Sequence, residues 1–356
     1  MSAPVSAPDA LAESAALASD TAPPERDRKL EHIRLALEGR MQLGRNYFDD
    51  YRFEHAALPE IDLDAIDTGV SFLGRRLAAP LLISSMTGGT ETAGQINRNL
   101  AAAAEQTGIA VGVGSQRKAL EDAAKADTFR VREVAPSAVL LANLGAVQLN
   151  YGMGVEACRD AVAMIGADAL ILHLNPLQEA IQPEGQCNFS GLLAKIGALV
   201  SELGVPVVAK EIGCGISEAT ARALAGEGVR IIDTAGVGGT SWARIEAQRA
   251  GDLEIGELFA GWGIPTPESI RQLCRVEGLT VIGSGGVRNG LDVAKAIAMG
   301  ADLVGMAYPF LAPATESPEK VSEKVRRTVR ELKICMFCLG VKTIAELQRV
   351  PLLKGS

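Results

Sequence analysis

The sequence predicts an α/β fold, a (β/α)8 (TIM) barrel with an N-terminal helical extension, on three observations. Eight short apolar runs recur between residues 79 and 310. The stretches between them are Ala-rich, with helical spacing. The polar side chains of the runs gather just past one end of each. Alternating strands and helices give parallel strands joined by right-handed crossovers. Eight such units suit a barrel of about 250 residues. A doubly wound open sheet is the structural rival, but the first run lacks the early G-x-G-x-x-G turn that such sheets often carry.

Taken in order, the expected strands are Ala79–Ser84, Ile109–Val113, Ala138–Ala142, Asp168–Leu172, Pro206–Ala209, Arg230–Ile232, Thr280–Gly283 and Asp302–Met306. Each is short and apolar apart from an occasional polar end residue, as for strands buried on both faces. Between them Thr92–Thr107, Val155–Ile165, Ser190–Leu203, Ser217–Gly226, Pro267–Val276 and Gly290–Met299 have helical length and spacing. A charged helix around Arg26–Gln42 and a strand-like Gly69–Phe72 precede the barrel and close or decorate it. The interval Gly236–Pro265 is long for a strand-to-helix connection, and such loops are usually functional or mobile. A last helix, Pro318–Leu339, packs outside. Residues 1–25, rich in Ala, Pro and Ser, read as a disordered leader, and residues 26–356 as one barrel domain.

Composition narrows the function. An apolar fraction of 47% with only 4% aromatics makes a core of Val, Ile, Leu and Ala. The net charge of −8 argues against nucleic-acid binding. No apolar run reaches the roughly 18 residues of a membrane span, and the leader lacks a signal peptide's basic start and apolar core. Six cysteines in so long a chain make no disulfide framework, so a soluble, cytoplasmic protein with free thiols is expected.

In barrels the active site is built at the C-terminal ends of the strands. The most telling end is His173-Leu174-Asn175-Pro176-Leu177-Gln178-Glu179, where an imidazole, two carboxamides and a carboxylate follow a buried strand. Such groups cost desolvation energy unless they meet a ligand, a metal or each other. The other ends are Ser84-Ser85-Met86-Thr87-Gly88-Gly89, Gly114-Ser115-Gln116-Arg117, Asn143-Leu144-Gly145-Ala146, Lys210-Glu211, Asp233 to Trp242, Ser284 to Arg288 and Gly305 to Tyr308.

Several readings stay open on residues alone. Gly285-Gly286 before a helix offers backbone amides for a phosphate, or a plain turn. Gly238-Gly239-Thr240 gives a second close-approach surface. Lys210 could be a Schiff-base nucleophile, a positive charge beside a cofactor, or a carboxylate's partner. Arg28, Lys29 and His32 share one helix face and could hold a diphosphate or be solvated. Trp242 and Trp262 could pack loops or touch substrate. Cys335-Met336-Phe337-Cys338 has no second pair to complete a zinc site, which favours packing over metal or redox use.

In order, Arg28-Lys29-x-x-His32, Ser85-Met86-Thr87-Gly88-Gly89, Gly114-Ser115-Gln116-Arg117, Asn143-Leu144-Gly145-Ala146, the 173–179 motif, Lys210-Glu211-Ile212-Gly213, Gly236 to Trp242 and Ser284 to Arg288 resemble the type 2 isopentenyl diphosphate isomerases. These are FMN-dependent barrel enzymes related to the α-hydroxy-acid oxidases, and the resemblance runs from about Arg26 to Leu339. It implies FMN held by Met86, Thr87, Gly88, Ser115, Asn143, Lys210, Thr240, Gly286, Val287, Arg288, Ala307 and Tyr308. It implies isopentenyl and dimethylallyl diphosphate held by Arg28, Lys29, His32, Ser115, Gln116, Arg117, His173, Asn175, Gln178 and Trp242, with Glu179 on Mg2+. Tyr308 stands where many relatives carry a basic phosphate-binding residue. The implied reaction moves a double bond by proton addition and removal at reduced FMN, with NADPH as the initial reductant. Gln178, His173 and Lys210 are the catalytic candidates, and the assembly implied is a homo-oligomer, a tetramer or octamer. An α-hydroxy-acid oxidase would need a His near the seventh strand, and an IMP dehydrogenase-like barrel a Cys after the sixth; neither is present. A non-catalytic flavin-binding protein would need neither Glu179 nor the basic residues.

Overall fold

The computed structural model describes residues 28–39 and 41–355, with the side chain of Arg28 also outside that description. The expected leader, residues 1–25, lies outside the described residues.

Eight parallel strands close into a barrel in chain order. They are β1 (Leu81–Ile83), β2 (Ala110–Gly112), β3 (Leu140–Gly145), β4 (Ala169–Leu174), β5 (Val207–Glu211), β6 (Ile231–Asp233), β7 (Thr280–Ser284) and β8 (Leu303–Met306). The circle closes where Val304 of β8 pairs with Leu81 of β1. Side chains alternate along a strand, so each strand offers one face to the barrel interior and one to the surrounding helices. Leu82, Ala110, Leu141, Ile171, Val208, Ile231, Ile282 and Leu303 form the inner cluster. Phe72 and Leu77 belong to it too, and they come from an antiparallel hairpin, Val70–Phe72 with Arg75–Leu77. The strand-like segment before the barrel is therefore half of a hairpin that closes the barrel's N-terminal end.

Helices α1 (Arg28–Leu37), α2 (Glu91–Thr107), α3 (Arg117–Glu121), α4 (Val155–Ile165), α5 (Pro176–Ile181), α6 (Leu192–Glu202) and α7 (Glu218–Gly226) follow the first half of the chain. Helix α2 starts on Thr90, whose side chain accepts from Ala93 N, and stops at Gly108 in the left-handed region. The long interval after β6 is folded: it contains α8 (Trp242–Ala250) and α9 (Leu253–Leu258) before α10 (Thr266–Leu273) makes the crossover. Then come α11 (Gly290–Ala298), α12 (Tyr308–Glu316) and α13 (Pro318–Phe337). Helix α1 is shorter than expected, because the chain turns through Gly39 at φ +72. Leu353–Lys354 pair antiparallel with Tyr51–Arg52, a contact between segments far apart in sequence that no local pattern predicts. No described helix is long and apolar enough to cross a membrane.

Candidate active site

Two residues beyond each inner-facing apolar side chain, alternation brings another side chain to the same interior face. From Leu82, Leu141, Ile171, Val208, Ile231 and Ile282 this rule leads to Ser84, Asn143, His173, Lys210, Asp233 and Ser284. They make a polar floor where the barrel opens. Asn143 Oδ1 lies 2.8 Å from His173 Nδ1 across adjacent strands, which fixes the ring. Lys210 is nearly buried, donates to the Glu211 carbonyl at 2.6 Å, and is the register partner of Asp233. Asp233 is fully buried; burial raises its carboxyl, while the Lys210 charge, the Ser284 hydroxyl and the Ala235 amide oppose that rise.

One side of the cavity above this floor is a carboxamide–carboxylate cluster. Pro176 starts α5, so Asn175, Gln178 and Glu179 are clustered over one turn. Glu179 Oε1 accepts from Asn175 Nδ2 at 2.8 Å; Oε2 accepts from Gln182 Nε2 and from the Gln186 amide, both at 2.6 Å. Gln178 is oriented at both ends, its oxygen accepting from Asn175 at 2.9 Å and its nitrogen donating to Glu246 at 2.6 Å. Glu246, on α8, is wholly buried yet reached by His32 (3.1 Å) and Arg249 (2.5 Å). Burial alone would raise its carboxyl, but the hydrogen bond and charge of His32 and the bonds from Gln178 and Arg249 hold it at about 2. Burial lowers the His32 imidazole, against the pull of Glu246. Arg249 also reaches Glu31 and Glu184, so the network joins α1, α5 and α8. Ile33, Ala36, Trp242 and Ile245 give the cavity an apolar wall on this side, with Trp242 edge-on to His32 at 5.3 Å.

The other side is built from glycine turns. Gly285 and Gly286 have φ of +105 and +73, and a Cβ on Gly286 would stand 2.5 Å from the Gly238 backbone. The loops after β6 and β7 thus pack backbone to backbone, leaving amides and Arg288 at the cavity edge, close to the N-terminus of α12. Thr240 is held by Gln42 at 2.6 Å. The hydroxyls of Ser84, Ser85 and Thr87 are buried here without a partner among the described residues. Unpartnered buried hydroxyls are costly, and a ligand rich in ring nitrogens and oxygens would satisfy them.

Comparison with known proteins agrees with this geometry. A family described as FMN-dependent dehydrogenase matches residues 35–140 and 185–353. The isopentenyl-diphosphate delta-isomerase of a Synechococcus species is 51% identical over 92% of this chain and 96% of its own length. That of Methanothrix thermoacetophila is 49% identical over 92% of each. The chain belongs to the isopentenyl-diphosphate delta-isomerase branch of the FMN-dependent dehydrogenase family. Among solved structures, a lactate oxidase of Pediococcus acidilactici superposes at TM-score 0.68 with 17% identity, over 93% of this chain and 88% of the other. A mandelate oxidase gives 0.63 with 19% identity over 92% of each. These two likenesses establish the shared barrel.

For an isomerase of this family, most of the expected site residues converge on one cavity. Lys29, His32, Met86, Thr87, Ser115, Arg117, Asn143, His173, Asn175, Gln178, Glu179, Lys210, Thr240, Trp242, Gly286, Val287, Arg288, Ala307 and Tyr308 all line it. Two expected residues are not among those that line it. The Gln116 side chain points into the helix layer, donating to Ala161 O at 2.8 Å and accepting from Asn143 N at 3.0 Å, and it is wholly buried away from the cavity. Gly88 lies against Phe129, where a Cβ would come within 2.2 Å of the ring. The expectation for Arg28 falls on a side chain outside the described residues. Trp262 sits at the surface, 62% exposed. Cys335 and Cys338 end α13 away from the cavity, and burial pushes the Cys335 thiol up to about 12, in keeping with packing.

The sequence patterns do not mark Glu246 or Gln148, and they give Asp233 only as a strand end, without a role. Asp233 was within reach of the alternation rule from Ile231. Nothing local marks Glu246, whose burial comes from α1 and α5 closing over α8. Among the described residues, no three His, Cys, Asp or Glu side chains come together as a metal group. A cation at Glu179 would therefore complete its shell with water and substrate oxygens, a pattern that suits Mg2+.

Proposed function

We propose that this protein interconverts isopentenyl and dimethylallyl diphosphate, using reduced FMN and Mg2+. The observation that carries the proposal is the division of one cavity into a glycine-lined, hydroxyl-rich side and a basic, carboxamide-rich side, which meet over Lys210. FMN, once reduced by NADPH, would supply the acid and base there with no net redox change. The chain does the rest. Lys210 places a positive charge on the barrel floor, where it stabilises negative charge on a cofactor. Lys29, Arg117 and the His173–Asn175 pair would hold the diphosphate, and Glu179 would hold Mg2+ beside it. This remote grip positions an alkene that is a very weak base. Trp242, Ile33 and Ile245 exclude water that would compete for the proton.

Gln178 orients rather than donates protons. A neutral carboxamide is a poor acid, and its nitrogen is committed to Glu246, a carboxylate held too acidic to act as a proton donor near neutrality. Exchanging FMN for 5-deazaFMN is expected to abolish turnover while the cofactor still binds; full activity with the analogue would remove the flavin from the proton transfer. The assembly expected on resemblance, a tetramer or octamer, is part of the same proposal.

A further inference from the structure

We infer that Gln186 is a positioning residue of this active site, which sets Arg117 and Glu179 before the diphosphate arrives. The inference rests on the diphosphate reading above and goes beyond it to a residue that does not line the cavity. After α5 the chain doubles back over Glu179. The turn is so close that a Cβ on Gly185 would stand 1.7 Å from the Glu179 carbonyl oxygen. Glycine is required there for space, and the next residue is delivered onto the carboxylate. The Gln186 amide donates to Glu179 Oε2 at 2.6 Å.

The Gln186 side chain then reaches the neighbouring loops. Its carboxamide oxygen accepts from Arg117 Nη1 at 3.2 Å and from Gln148 Nε2 at 2.6 Å. Arg117, Gln148 and Glu179 all line the cavity, and they follow three consecutive strands, β2, β3 and β4. One residue behind the wall therefore joins three residues in it.

The chemistry of the acceptor matters. Arg117 has a second partner, Glu121, but at 3.6 Å and with the carboxylate half exposed, so solvent screens it. An arginine without a firm partner must be ordered when substrate binds, at a cost in affinity. A carboxylate would order it but would also cancel the positive charge that a diphosphate needs. A neutral carboxamide oxygen orders the guanidinium and leaves its charge for the ligand.

The test is calorimetric titration of Mg2+ with inorganic pyrophosphate into FMN-loaded protein, alongside steady-state kinetics with isopentenyl diphosphate. Gln186→Met keeps bulk and removes the acceptor; Gln186→Ser is the second variant should the first fold poorly. Both are expected to keep FMN absorbance and a cooperative melt. Loss of a hydrogen bond to a charged group should weaken pyrophosphate binding and raise KM about tenfold, with kcat within about twofold, the mark of lost uniform binding. In an Arg117→Ala background the same substitution should change pyrophosphate binding less than about twofold, because the residue it positions is gone. Unchanged pyrophosphate affinity in a folded, FMN-loaded variant would overturn the inference, and so would an undiminished effect in the Arg117→Ala background. If the unaltered protein takes up FMN but no pyrophosphate, the diphosphate reading itself fails, and this inference with it.

Discussion

Glu246→Gln is expected to lower stability by about 3 kcal/mol at neutral pH, since removing one member of a buried charged pair leaves the other uncompensated. Arg249 keeps Glu31 and Glu184, which places the loss at the lower end of what such deletions cost. Denaturant unfolding should show a lower midpoint with an unchanged slope. The same residue predicts a pH signature. Its folded carboxyl lies at about 2 against 4.5 in the open chain. A depressed folded value contributes stability above the unfolded value, and that stability is lost as pH falls from about 4.5 towards 2. The contribution is on the order of 3 kcal/mol, from the size of the shift, and the Gln variant should lack that segment of acid sensitivity. Turnover should also fall, because Gln178 loses the anion that orients it. An unchanged midpoint and acid profile would show that the network is incidental.

Glu179→Gln carries the second large effect. Turnover is expected to drop by about 10²–10³, the usual loss when one preorganised electrostatic group is removed, and Mg2+ should no longer accelerate the reaction. FMN absorbance should stay, because Glu179 stands on the opposite side of the cavity from the glycine turns. Three donors already face this carboxylate. A carboxamide has a single acceptor oxygen, so its NH2 would face at least one of them and loosen the 182–186 turn as well. The kinetic titration with Mg2+ separates the two effects: a surviving, undiminished Mg2+ dependence would take Glu179 out of the metal site.

The barrel and its mouth were legible for a physical reason. Buried parallel strands read as continuous apolar runs, and period-two alternation carries the interior face one step further, to Asn143, His173 and Lys210. The same rule stops short of Gln116. It follows Ser115 at the start of α3, where the backbone has left strand geometry, and its side chain turns outward to Ala161. The close packing of Gly88 on Phe129 is invisible in the sequence, because the two lie 41 residues apart and only the fold brings them together. Glu246 and Gln186 escape for the same reason: each acquires its role from contacts between segments distant in sequence, and neither stands at a strand end.

The central claim is that one cavity holds FMN and the diphosphate together and uses them for isomerisation. Its most direct test is anaerobic incubation of the purified protein with FMN, NADPH, Mg2+ and isopentenyl diphosphate, with product read by chromatography. Dimethylallyl diphosphate should form with only catalytic consumption of NADPH. Failure to form it in FMN-loaded protein, or consumption of one NADPH per product, would contradict the account.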